Sequence, residues 1–227
     1  KTAGVNASSG RNLLFMDSHC VPSVGIDKML HEYERTFFKY NEKGTFHMPL
    51  TYKILEWRRL IYKLVIDEEA FYSYSFTGFR PAEEPYEVPC MSTCGMMISR
   101  KIFDAIGGWP VGLGIYGGGE NFMNYTLAVC GFKKWIYPHV TLHHHGEKRD
   151  YHYIGDDTVK NRMIAHYLFG GEELLWRFTA HQRGSTSVLQ RLANQALHDH
   201  TDHRAKIKEI QKMTIEEWTS QWKGDDQ

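Results

Sequence analysis

The short apolar run at residues 12–16 ends abruptly on Asp17-Ser18-His19, and this junction constrains the fold more than any other stretch of the chain. A continuous run of that length predicts a buried strand. A strand that stops on a carboxylate places it at the carboxyl edge of a sheet, where open α/β sheets bind their ligands. Asp17 and His19, two positions apart in a tight turn, can aim an oxygen and a nitrogen at one ion. That donor pair suits a transition ion such as Mn²⁺ better than Ca²⁺.

The rest of the chain alternates between strand and helix signals. Ile26, Leu30, Tyr33 and Phe37 recur at helical spacing and predict an amphipathic helix over 24–40. Residues 45–52 and 70–79 read as strands, 53–66 as either helix or extended chain, and the Pro- and Glu-rich stretch 80–89 as a loop. Residues 91–99 predict a strand and 100–106 a short helix stopped by Gly107-Gly108. A glycine-rich loop at 112–119 feeds a helix over 120–130, and 132–145 reads as a strand ending in three consecutive histidines. From about residue 156 the pattern becomes helical, over 157–169, 172–180, 187–198 and a last helix capped by Thr214 with Glu217 three residues on. The predicted class is α/β, with an α/β unit over 1–155 and a helical extension over 156–227.

Composition removes several classes of function. With 27 basic and 27 acidic residues, no global field favours nucleic acid or an anionic membrane. No apolar run approaches the roughly 20 residues of a membrane span. Cys20, Cys90, Cys94 and Cys130 are too few for a disulfide scaffold and lack a Cys-x-x-Cys pair. They read as small buried side chains, which implies a cytoplasmic or otherwise reducing compartment.

Three further segments carry chemistry. Side chains alternate along a strand, so with Val140 and Leu142 taken as core-facing, His143 and His145 emerge together on the other face, toward a site. In Tyr116-Gly117-Gly118-Gly119-Glu120-Asn121, glycines ahead of a helix let a ligand approach the backbone and free the first helical amides for an anion. Lys148, Arg149, Tyr151, His152 and Tyr153 interleave charge and aromatic rings, a combination that clamps phosphates and stacks on a base or sugar.

Taken in order, these motifs resemble the polypeptide N-acetylgalactosaminyltransferases and, more widely, GT-A type and related family-2-like sugar transferases. LLFMDSHC is similar to that family's hydrophobic strand followed by Asp-x-His-Cys. TCGMMISRKIFDAIGGWPVGLGIYGGGENFMNYTLAVCGF is similar to its Gly-Gly strand and Glu-Asn-led helix, and PHVTLHHHGEKRDYHY to the segment bearing its third metal ligand. The resemblance covers roughly residues 12–153. It implies a GT-A core (the Rossmann-like fold of nucleotide-diphospho-sugar transferases) lacking its N-terminal strands, with a C-terminal helical extension. The chain starts almost at the metal strand, so the base-binding half is expected to be missing or supplied by a second segment.

The resemblance also implies a function and a site. The function is Mn²⁺-dependent (or Mg²⁺-dependent) transfer of a sugar from a nucleotide-diphosphate donor such as a UDP-sugar to a hydroxyl acceptor, with retention by the closer family match, or with inversion if Glu120 acts as a general base. The acceptor could be protein, glycan, lipid or modified nucleic acid. Asp17 and His19 would hold the ion, with His143 or His145 as third ligand. Cys94 and Gly95 would lie near the donor sugar, Gly118 and Gly119 near its phosphates, and Glu120 and Asn121 would be the catalytic residues, near the sugar hydroxyls or acceptor. Lys148, Arg149 and Tyr153 would grip the nucleotide. Gly117 stands where the family has an aromatic residue, which keeps open the alternative of a degenerate transferase that binds metal or nucleotide sugar without turnover.

Overall fold

Proline placement divides the α/β unit into two sheets. In the computed structural model, which describes residues 1–39, 44–52, 58–67, 71–145 and 155–223, the stretches expected as single strands at 45–52 and 132–145 each break at a proline. Gly44–His47 (β3) and Leu50–Tyr52 (β4) flank Pro49; Lys133–Ile136 (β9) and Leu142–His144 (β10) flank Pro138. Proline cannot donate to a ladder, so each chain leaves one sheet there and enters the other. β3 runs parallel to β9, and β4 parallel to β10, so the two crossings lie side by side.

The first sheet has the order β1-β8-β3-β9-β7, where β1 is Asn12–Phe15, β7 is Tyr86–Glu87 and β8 is Met96–Ser99. The second has the order β2-β10-β4-β5-β6, where β2 is Cys20–Pro22, β5 is Leu60–Asp67 and β6 is Phe71–Gly78. The chain also crosses between sheets from β1 to β2, through Asp17-Ser18-His19. The carboxyl ends of β1, β3 and β9 therefore meet along one seam.

Helices cover both faces of the first sheet. Ile26–Lys39 (α2) buries Met29 and Tyr33 against Phe46, Met97, Val140 and Leu142. The Tyr33 hydroxyl donates to Gly44 O at 2.8 Å and accepts from Ser99 N at 2.7 Å, tying the helix to two strands. On the other face, Leu13, Phe15, Met96 and Ile98 pack with Arg100–Ala105 (α3) and Gly119–Val129 (α4). Burial on both faces explains why β8 is buried throughout its four residues and apolar in its first three, Met96, Met97 and Ile98. Arg100 donates to Val5, Ser8 and Gly10 carbonyls, fastening Thr2–Asn6 (α1) and the approach to β1.

The same core continues into the C-terminal helices. Gly155–Ala180 (α5), Thr186–Asp199 (α6), Thr201–Ile210 (α7) and Ile215–Ser220 (α8) contribute Met163, Phe169, Leu192, Ile207 and Trp218 to one apolar cluster with α4. α5 kinks at Gly171, where the sequence pattern separates two helices. Thr214 and Glu217 close a reciprocal capping box on α8. α7 has no expected counterpart, and the strand expected over 91–99 is shorter, because residues 90–95 form a buried loop. Asn124 of α4 satisfies that loop, accepting from Met91 N at 2.8 Å and donating to Met91 O at 2.9 Å. Among the described residues no helix is long and apolar enough to cross a membrane.

Candidate functional site

The turn from β1 to β2 closes with a hydrogen bond from Cys20 N to Asp17 O at 3.1 Å, which folds Asp17, His19 and Cys20 around one point. Asp17 N also reaches Cys94 Sγ at 3.4 Å, anchoring the turn to the buried loop before β8. β10 pairs antiparallel with β2 and sets His144 opposite Cys20. As a result, His144 Nε2 lies 3.1 Å from His19 Nε2 and 3.8 Å from Asp17 Oδ2. The ring of His144 rests on Tyr52, centroids 4.9 Å apart. Ligand-capable atoms of Asp17, His19, Cys20 and His144 all lie within 4.8 Å of one another.

Of the three histidines at 143–145, the structure brings His144, and not His143 or His145, to Asp17 and His19. The alternation itself holds, with Leu142 and His144 on one face and His143 on the other. The cluster, however, sits at the rim of the core beneath Leu142, not across the sheet from it. His143 turns to the opposite face, where Nδ1 meets Thr51 Oγ1 at 2.8 Å. The His145 side chain is exposed, and its backbone N–H donates to His19 O.

Electrostatics suit a cation. The adjacent His144 ring, joined by the charges of Lys1 and His19, holds the Asp17 carboxyl below the usual carboxylate range despite the opposing effect of burial. Nδ1 of His144 is buried without a hydrogen-bond partner, so the ring's polar engagement is on the Nε2 side, toward His19 and Asp17. Two imidazole nitrogens and one carboxylate oxygen, half-open to solvent, form a donor set that fits a divalent transition ion.

Thr93-Cys94 joins this cluster to Glu120. Cys94 Sγ touches Asp17 N and lies 3.3 Å from Cys20 Sγ, while the Thr93 hydroxyl donates to Glu120 Oε1 at 2.7 Å. Tyr52, Tyr62, Tyr74 and Phe76 form an aromatic wall beside them: Tyr62 and Tyr74 stack at 4.8 Å, and Tyr52 and Phe76 meet edge-on at 5.5 Å. Phe76 remains 48% exposed. Burial pushes the Tyr52 hydroxyl up to about 12, and burial with the nearby Glu120 carboxylate pushes Tyr62 and Tyr74 higher still. The wall is absent from the expected site. Its signal was the alternation of Tyr72, Tyr74 and Phe76 along one strand face, which reads equally as core.

Other expected site residues serve different ends. Asn121 is 3% exposed, and its amide donates to Tyr72 O at 2.9 Å, bracing β6 against α4 rather than facing the cleft. Gly95 underlies the site: a Cβ there would stand 3.0 Å from Leu142 Cδ2. Gly118 caps α4 at φ +75°, and a Cβ would stand 2.5 Å from the backbone of Asn161 on α5. Close helix packing thus accounts for Gly118, and Gly119 begins α4 behind it. Asn161 itself is buried and binds the loop ahead of the helix, accepting from Gly114 N at 2.7 Å and donating to Tyr116 O at 2.9 Å and Gly117 O at 3.1 Å. Lys148, Arg149 and Tyr153 lie outside the described residues.

No family model matches the chain. It is 22% identical over 175 residues, 72% of this chain and 39% of the other, to the mouse (Mus musculus) protein named inactive polypeptide N-acetylgalactosaminyltransferase-like protein 5. It also superposes on a crystal structure of GalNAc-T7 with UDP, GalNAc and Mn²⁺, with a TM-score of 0.59 and 16% identity, covering 88% of this chain and 42% of that one. The chain thus spans about two fifths of the length of these relatives. It has the α/β architecture of a GT-A glycosyltransferase domain, and it resembles the polypeptide N-acetylgalactosaminyltransferases in both sequence and backbone.

Proposed function

We propose that this chain carries the metal and acceptor side of a glycosyltransferase that moves a sugar, with retention, from a UDP-linked donor to a hydroxyl acceptor. The observation that carries this reading is the meeting of Asp17, His19 and His144 at the seam between the sheets, linked to Glu120 through Thr93 and Cys94. The GalNAc-T7 structure with the same fold holds UDP, GalNAc and Mn²⁺, and the donor set here suits the same kind of ion. A divalent ion held by Asp17, His19 and His144 would supply charge neutralisation for the departing diphosphate. Glu120, oriented by Thr93, would accept hydrogen bonds from sugar hydroxyls. The aromatic edge at Tyr52 and Phe76 would offer an apolar face to the sugar or acceptor. Lys148, Arg149 and Tyr153 follow β10 in sequence and would bring cationic and aromatic groups to the phosphates.

A second reading is a binding module that takes up metal and nucleotide sugar without turnover. The mouse relative's name contains the word inactive, and by the resemblance Gly117 stands where the family motif has an aromatic residue. One experiment separates the two. The full chain is titrated with UDP-sugars in the presence of Mn²⁺, and free UDP is quantified for wild type and Asp17→Ala. Release that depends on Mn²⁺ and on Asp17 supports transfer, whereas Mn²⁺-dependent binding without release supports the module. Absence of both binding and release overturns the site.

A further inference from the structure

Cys20 belongs to the cluster by position, yet the proposed transfer makes no use of it. Its place is set by backbone pairing, since β2 aligns it opposite His144 and the turn hydrogen bond brings it under Asp17. The sulfur, the two imidazole nitrogens and the carboxylate oxygen all fall within 4.8 Å of one another. A tetrahedral ion with bonds of about 2.0–2.3 Å holds its donors roughly 3.3–3.8 Å apart. The His19 and His144 nitrogens already stand at 3.1 Å, and Asp17 and His144 at 3.8 Å. Only modest side-chain movement separates this arrangement from four-coordination. Cys94 is the neighbouring sulfur, but it is 6% exposed, accepts from Asp17 N and lies behind Cys20.

The thiol changes which ions the cluster discriminates between. Mn²⁺ and Mg²⁺ favour oxygen donors and gain little from sulfur, whereas Zn²⁺ and Co²⁺ bind thiolate strongly. One carboxylate, two imidazoles and one thiolate make a complete tetrahedral set with no open position. We infer that the cluster has a second metal state, in which Asp17, His19, Cys20 and His144 close around a thiophilic divalent cation, Zn²⁺. On forming this state the Cys20 S–H proton passes to solvent, a metal–sulfur bond forms, and bound water leaves the ion. The closed site has no coordination position left for a diphosphate, so Zn²⁺ opposes the state that the donor requires. The inference rests on reading the cluster as a metal site, as above.

Co²⁺ tests this without turnover, because thiolate ligation of tetrahedral Co²⁺ produces a near-ultraviolet charge-transfer band and intense visible bands. The wild-type full chain should show them on titration with Co²⁺. Cys20→Ser should lose the charge-transfer band while Cys94→Ser keeps it. Zn²⁺ competed against a chromophoric chelator should bind wild type at least tenfold more tightly than Cys20→Ser, with Mn²⁺ affinity changed less than twofold. A wild-type Co²⁺ spectrum without the thiolate band overturns the inference with no variant needed. A band that survives in Cys20→Ser, or vanishes in Cys94→Ser, overturns it too. Mn²⁺ binding followed by paramagnetic resonance distinguishes the role of Cys20 from the existence of the metal site. Mn²⁺ bound without a thiolate band removes only the role of Cys20, whereas no binding of either ion removes the metal site as well.

Discussion

Nε2 of His19 and Nε2 of His144 face each other at 3.1 Å, although 125 residues separate them in the chain. The pair exists because β1 and β9 both cross from one sheet to the other at the same seam. Substituting His144 by Ala should therefore lower Mn²⁺ affinity by tenfold or more, whereas His143→Ala and His145→Ala should each change it less than about twofold. Isothermal titration of the three variants with Mn²⁺ checks this, and equal losses at His143 and His144 would refute the assignment.

Asn161 links the helical extension to the glycine-rich loop ahead of Glu120. Its amide serves Gly114, Tyr116 and Gly117 at once, in a fully buried position. Asn161→Ala removes these buried hydrogen bonds together and should cost about 2–4 kcal/mol of stability by urea unfolding. Amide exchange over residues 112–118 should rise in the same variant, while that of β8 remains slow.

Gly112 and Gly118 have nearly the same backbone, at φ +74° and +75°, but different surroundings. A Cβ at Gly112 meets nothing within 4 Å, whereas one at Gly118 strikes Asn161 at 2.5 Å. Gly112→Ala should cost only the left-handed penalty, about 1–2 kcal/mol. Gly118→Ala adds a backbone clash and should cost about 3 kcal/mol or more. Thermal unfolding of the pair measures the difference, which isolates packing from conformation.

His166 is buried against Phe178, ring centroids 4.1 Å apart, with Nε2 unpartnered. Burial, reinforced by the Arg162 charge, depresses its pKa to about 3. An unfolded histidine takes up its proton near pH 6.5, so between pH 6.5 and 3 the unfolded chain binds a proton that the native one refuses. Stability should consequently fall as pH drops through this window, by up to about 1.4 kcal/mol per unit from this residue. His47, also fully buried with its pKa well below the usual value, acts in the same direction. His166→Phe should reduce the slope measured by denaturant titration at several pH values, with the His47 share remaining.

Local rules made part of this molecule legible. The strand that leads toward Asp17 (ending at Phe15), the helix entered through Gly118, the capping box of Thr214 and Glu217, and the order of motifs that resembles a sugar transferase all depend on neighbours in sequence. Short-range alternation also sorted Leu142 and His144 from His143. What it could not supply was the side of the sheet on which the site lies.

That choice belonged to tertiary structure. Pro49 and Pro138 split what read as long strands, and the resulting crossings put the cluster at the rim of the core instead of across the sheet from it. Asn121 and Glu120 are adjacent residues of similar polarity. Only the packing of β6 on α4 turned one inward to Tyr72 and left the other beside Thr93. The sequence by itself determined the ligand types, the α/β alternation and the turn at Asp17, since these follow from residue chemistry and local spacing. Tertiary structure alone decided that His144 completes the cluster and that Tyr52 and Phe76 border it, because contacts across 125 residues arise from sheet register, which no local pattern encodes.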